Sequence, residues 1–162
     1  MMMTSPLRHY QLVLGKYLAI LTVLIPLIIY SILLVIYFTV LNDVPVTVQW
    51  GPFLVGVLGL VFLGGAFIAL GIFISSLTEN QIISALTTFG ALLIIWVIGW
   101  SSVYSSTGFG EILRRISLNN HYENFAKGVI SLSDSVYFIL FITFFLILTI
   151  SSLGTTRWRG IK

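Results

Sequence analysis

The chain has 162 residues, of which 58% are hydrophobic and only 8% charged. A soluble domain carries roughly 25% charged residues, so this composition cannot make a water-facing surface. The net charge of +3 comes from basic residues at the ends of apolar runs, a placement that fits anionic headgroups rather than nucleic acid. The lack of cysteine excludes disulfides, thiolate chemistry and cysteine-based metal sites.

The first apolar run covers about residues 17–40 and holds no charge. At 1.5 Å per residue it reaches roughly 36 Å, enough to cross a hydrocarbon core of about 30 Å. Arg8 and Lys16 precede it, as basic residues precede a secretory leader. The run is too long for a leader core of about 7–15 residues, and no small-x-small cleavage site follows. Pro26 lies inside it, removes one helical hydrogen bond and predicts a kink.

The second run, about 53–77, is rich in glycine: Gly56, Gly59, Gly64, Gly65 and Gly71. Gly65 with Ala69, and Gly71 with Ser75, form small-xxx-small pairs that let helix backbones approach closely in lipid. Two readings stay open for them: packing between neighbouring spans, or a subunit interface or moving seam. Residues 78–80 make a tight turn into the third run, about 81–101. Trp96 and Trp100 near the end of that run suit an aromatic belt. A fourth run covers about 135–153. A charge at the centre of any run would cost roughly 2.5–3.5 kcal/mol, and none is present. The sequence therefore predicts an all-α polytopic membrane protein, with four transmembrane helices in one domain over residues 1–162.

The loop at 102–134 has a pattern of its own. Phe109, Ile112, Leu113 and Ile116 follow helical spacing, and Phe125, Ala126, Val129 and Ile130 do so again. Asn119 and Asn120 separate the two patches. This predicts two short amphipathic helices at the membrane interface or dipping into it. Ser131 with Asp134 resembles a capping box that opens the last span.

Catalytic patterns are missing from the sequence. His121 and Glu123 are two residues apart and do not share a helix face; His9 is isolated. No HExxH or GxSxG motif occurs. Gly15-Lys16 is followed by Tyr17 and lacks the upstream glycine of a nucleotide-binding P-loop. No acid or histidine stands within a predicted span, so a proton relay has no members. No catalytic, cofactor or metal residue is predicted, and the chain is not expected to be an enzyme.

Three stretches, in order, carry a resemblance. Thr4-Ser5-Pro6-Leu7 followed by Gln11-Leu12-Val13-Leu14-Gly15-Lys16-Tyr17 resembles the segment leading from the coupling helix into the third span of type-2 ABC transporter permeases. Leu77-Thr78-Glu79-Asn80-Gln81-Ile82 resembles their turn between the fourth and fifth spans. His121 to Gly128, then Asp134 and Val136-Tyr137-Phe138, resembles the stretch before their last span, and Arg157-Trp158-Arg159 resembles its end. The nearest group is the gliding-motility-associated permeases. Members usually have six spans, so this chain resembles the last two-thirds of one: a truncated product, a misplaced start or one piece of a split subunit.

The resemblance implies a permease subunit of a bacterial inner membrane. It would pair with a second permease, as a homodimer or heterodimer, and with ABC ATPase subunits that supply the energy. It assigns the ATPase-coupling contact to Thr4, Pro6, Arg8, His9 and Glu79. The alternative is a small membrane scaffold or assembly protein, or an inactive fragment.

An even number of spans puts both termini on one side, with Arg8, Lys16, Arg157, Arg159 and Lys162; the other side has Arg114, Arg115 and Lys127. The excess of basic residues near the membrane predicts cytoplasmic termini. Reporter fusions at Lys162 should read cytoplasmic and fusions at Thr107 external; a cytoplasmic Thr107 would overturn the orientation.

Overall fold

The computed structural model describes residues 9–41, 49–104 and 117–159, all but the connecting turns helical. Helix α1 is His9–Leu41, α2 is Trp50–Leu77, α3 is Gln81–Tyr104, α4 is Leu118–Ala126 and α5 is Leu132–Arg159. Of these, α1, α2, α3 and α5 are long and apolar enough to cross a membrane. Among the described residues the chain is all-helical, and its four long apolar helices are those of a membrane-embedded protein.

Each long helix extends past the apolar run that marked it, because backbone bonding continues beyond the hydrocarbon. Thus α1 begins before Lys16 and continues through Pro26. Pro52 falls in the first turn of α2, where its missing N–H leaves no hydrogen bond unmade. The α2–α3 turn is set by Asn80. Its side-chain oxygen accepts from the backbone N–H of Ile82 at 2.9 Å and of Ile83 at 3.5 Å, the N-cap arrangement.

Helix α2 is the centre of the bundle. Helices α1, α3, α4 and α5 all pack on it, whereas α1 and α3 share no packed interface. Glycine explains why. A side chain at Gly64 would collide with Leu24 of α1. One at Gly65 would stand 2.7 Å from the Tyr17 hydroxyl and 3.3 Å from Ile142 of α5. At Gly71 it would meet Thr88 of α3, and at Gly59 the side chain of Phe125 in α4. Different glycines thus receive different neighbours around the circumference of one helix.

Two apolar cores follow. Near the end that holds the start of α1, buried Val13, Tyr17, Ala69, Ile72 and Leu146 cluster with Ile150 and Leu153. Near the other end Ala66, Leu118, Phe125 and Phe138 are buried together. The start of α1, the α2–α3 turn and the end of α5 therefore share one end of the bundle, and α4 lies at the opposite end. The outer faces of α1 and α3 expose large apolar side chains along their length, as a bilayer solvent requires.

The short helix differs from the expected one. The spacing of Phe125, Ala126, Val129 and Ile130 predicted a helix through those residues, with Asn119 and Asn120 as separators. Instead Asn119 and Asn120 lie inside α4, and the helix stops at Ala126. Gly128 ends it with φ 79°, a left-handed conformation that glycine adopts without steric cost. Its N–H reaches Phe125 O at 3.0 Å, and Val129 N–H reaches Asn124 O at 2.9 Å. This is a Schellman stop. The apolar face is Leu118, Tyr122 and Phe125, and it lies in the second core; Val129 and Ile130 are exposed in the reversal. The patch from Phe109 to Ile116 lies outside the described residues.

Replacing Gly65 by leucine forces Tyr17 and Ile142 away from α2. A thermal melt of the purified chain in mild detergent should show a loss of about 1–3 kcal/mol, the usual cost of overpacking. An unchanged melt would contradict this packing.

Candidate functional site

The polar side chains of the far end converge on Asp134. It stands in the first turn of α5 and is only 4% exposed. One carboxylate oxygen is 2.6 Å from His121 Nδ1, and the other accepts from Asn124 Nδ2 at 2.7 Å. The Ser131 side chain lies beside the carboxylate and favours its charged form. An ionised carboxylate only accepts, so the ring nitrogen facing it carries the proton.

Local structure makes this cluster possible. His121 and Asn124 are three residues apart on α4, hence neighbours on one face. That face is the one left over after Leu118, Tyr122 and Phe125 turn toward α2. The Gly128 stop reverses the chain and returns α5 alongside. Ser131 precedes the helix, and its carbonyl accepts the N–H of Ser135 at 3.1 Å. The spacing of Ser131 and Asp134 predicts a capping box; in the structure Ser131 lies beside the carboxylate, which reaches across to α4.

Aromatic stacking extends the cluster. The His121 ring lies 4.0 Å from Tyr137, nearly parallel to it. Tyr137, Phe141 and Phe145 continue along one face of α5, with centroids 6.4 and 4.7 Å apart. Phe73 of α2 ends the series 5.6 Å from Phe145. Beside it, Phe62, Phe125 and Phe138 from three helices meet at centroid distances of 5.9 to 6.2 Å. On the exposed side of α4, Lys127 bonds Glu123 at 2.7 Å, a surface i,i+4 pair of only about 0.3–0.5 kcal/mol.

No family model matches this sequence, and no curated protein or solved structure matches it. What the site can do is argued from its own chemistry. Among the described residues no group of three metal-ligating side chains comes together. His121 and Asp134 have the order of a base and its orienter, and Ser131 stands beside the carboxylate rather than beside the ring. The cluster is shaped to hold two helices together.

The sequence-predicted residues divide by location. Thr4, Pro6 and Arg8 lie outside the described residues. His9 opens α1, at the same end as Glu79, and Glu79 is exposed in the α2–α3 turn. Gly65 and Ala69 face α1 and α5 inside the bundle. Gly71 faces α3, with Ser75 partly buried a turn further on. The cluster that sequence reasoning missed is His121–Asn124–Asp134. In sequence His121 stands near Glu123, and Asp134 has the spacing of a helix cap with Ser131. The available signal was the i,i+3 spacing of His121 and Asn124 ahead of a helix-stopping glycine.

Asp134→Ala leaves the donors of His121 and Asn124 without an acceptor. A buried unsatisfied group costs about 1–3 kcal/mol; His121 and Asn124 are partly buried, so denaturation in detergent should show a loss of about 1–3 kcal/mol in all. Asp134→Asn keeps an acceptor for Asn124, and its amide can donate to His121 in the other tautomer. It should lose much less, and equal losses would contradict the assignment.

Proposed function

We propose that this chain is the membrane-spanning permease subunit of a bacterial type-2 ABC transporter, moving substrate across the inner membrane with energy from a separate ATPase. The observation that carries the reading is where the three family-like stretches fall in the fold. Tyr17, from the first, packs on Gly65 of the central helix. Asn80, from the second, caps α3. His121, Asn124, Gly128, Asp134, Tyr137 and Phe138, from the third, form the α4–α5 reversal and its clamp. Residues that recur in a family for architectural reasons belong at such positions.

The energetics point the same way. The sequence has no P-loop, and no described interior position along the bundle offers an ion relay. Hydroxyls within the spans bond carbonyls of their own helices: Thr22 to Ala19, Ser31 to Leu27, Thr87 to Ile83, Thr143 to Ile139 and Thr149 to Phe145. On this reading a second permease subunit completes the pathway. The exposed Glu79 turn and the start of α1 share the end proposed to meet the ATPase in the cytoplasm.

The test is co-purification in mild detergent with the products of neighbouring genes co-expressed. A nucleotide-binding subunit should accompany the tagged chain, and Arg8→Glu or Glu79→Ala should reduce its recovery several-fold. If none accompanies it, the permease reading fails, and a scaffold or inactive fragment takes its place.

A further inference from the structure

The reversal that joins α4 to α5 is apolar at its tip. Val129 is 56% exposed, Ile130 63% and Leu132 81%, although none of them belongs to the apolar run at about 135–153. Hydrophobic spacing groups Val129 and Ile130 with Phe125, but the Gly128 stop separates them. Phe125 is buried in the second core, and the other two stay on the outside of the bundle.

The tip adjoins the lipid-facing surface of α5. Leu132, Val136, Ile139, Leu140 and Ile147 are all exposed, and their spacing puts them on one face of the helix. Asp134 and Phe138, on the other side, are buried. Acyl chains solvate such a face on a membrane-spanning helix. Leu132 is its last member, and Ile130 and Val129 follow it in the chain. The level of the tip agrees. Gly128 rests on the first turn of α2, where a side chain would stand 2.5 Å from Pro52 Cβ. That turn begins at Trp50, which is exposed, and a tryptophan at the end of a span marks the boundary between acyl chains and headgroups. The exposed Lys127–Glu123 pair of α4 suits the headgroup side of the same boundary.

The backbone permits this placement. A reversal can enter the edge of a bilayer only if its polar groups are met. The N–H groups of Lys127 and Gly128 donate to Glu123 O and Phe125 O at 3.0 Å, and that of Val129 to Asn124 O at 2.9 Å. The N–H of Ser135 donates to Ser131 O at 3.1 Å.

We propose that the α4–α5 reversal is a lipid anchor, in which Val129, Ile130 and Leu132 insert into the acyl edge of the bilayer beside Trp50. The last span then meets lipid from Val129 onward. Asp134 is half a turn further along α5 than Leu132, so the His121–Asn124–Asp134 cluster stands at the lipid boundary and not in bulk water. A carboxylate is costly there unless it is paired, and both of its oxygens have partners. The anchor needs only the bundle and a phospholipid bilayer, so it stands or falls apart from the permease reading.

Spin-label accessibility tests it on the full chain in vesicles of phosphatidylethanolamine and phosphatidylglycerol. The absence of native cysteine leaves each label alone. The labelled variants are Ile130→Cys and Leu132→Cys at the tip, Glu123→Cys as the headgroup-side reference and Leu140→Cys as the lipid reference. All four positions are exposed, so the label does not disturb packing. Oxygen concentrates among acyl chains, whereas a water-soluble nickel chelate stays outside them. The ratio of oxygen to nickel access at Ile130→Cys and Leu132→Cys should exceed that at Glu123→Cys several-fold and approach that at Leu140→Cys. A ratio at the tip equal to that at Glu123→Cys would place the reversal in water and overturn the proposal. Low access to both reagents would mean that a protein surface covers the tip, a second copy of this chain included, and would overturn it as well.

Discussion

Close approach to the backbone of α2 is the constraint on which the rest of the bundle depends. In lipid there is no hydrophobic force between helices, because acyl chains are as apolar as leucine; contact must come from dispersion and interhelical hydrogen bonds. Dispersion falls off steeply with separation, so the helix that lets its neighbours come nearest becomes the hub. Gly59, Gly64, Gly65 and Gly71 expose backbone on different sides of α2: Gly59 meets α4, Gly64 meets α1, Gly65 meets α1 and α5, and Gly71 meets α3. The side chains that fill these gaps are large: Phe125, Leu24, Tyr17 and Ile142. Small residues on one helix and large residues on three others give a single arrangement, with Thr88 of α3 at Gly71.

Side-chain hydrogen bonds that cap or join helices stand at both ends of the bundle, while several hydroxyls along the spans bond within their own helix. At one end Asn80 satisfies the first turn of α3. At the other, Asp134 gathers Ser131, His121 and Asn124. A carboxylate is costly inside a bilayer. Asp134 sits in the first turn of its helix, where the partial positive charge of the N-terminus favours an anion, and its partners supply the remaining hydrogen bonds. The same residue therefore helps start α5 and fixes the position of α4.

Much of this fold can be read from the sequence because the bilayer imposes a one-dimensional rule. Uninterrupted apolar length marks a span, and all four long helices coincide with the apolar runs. Their ends are less legible, since hydrogen bonding continues past the last apolar residue, as at His9 and Leu132. The position of α4 is not legible from hydrophobic spacing alone. Two overlapping sets, Leu118–Tyr122–Phe125 and Phe125–Ala126–Val129–Ile130, both fit a helical period, and the left-handed Gly128 decides between them. The His121–Asp134 contact is harder still. It crosses a reversal of 13 residues, so neither partner lies within the window that local pairing rules inspect. The glycine pairs were visible, but the neighbour each would meet depends on how the four other helices are arranged around α2.

The central claim is that α4 is a built-in element of the bundle, packed on the glycine face of α2 and tied to α5, rather than a solvated connection. Amide hydrogen exchange on the full chain in lipid nanodiscs tests this most directly. Protection reports the free energy of local opening. The account predicts amides of Tyr122–Ala126 as slow as those of Val136–Phe141 in α5. Exchange across α4 at the rate of an unstructured peptide, with α5 protected, would contradict it.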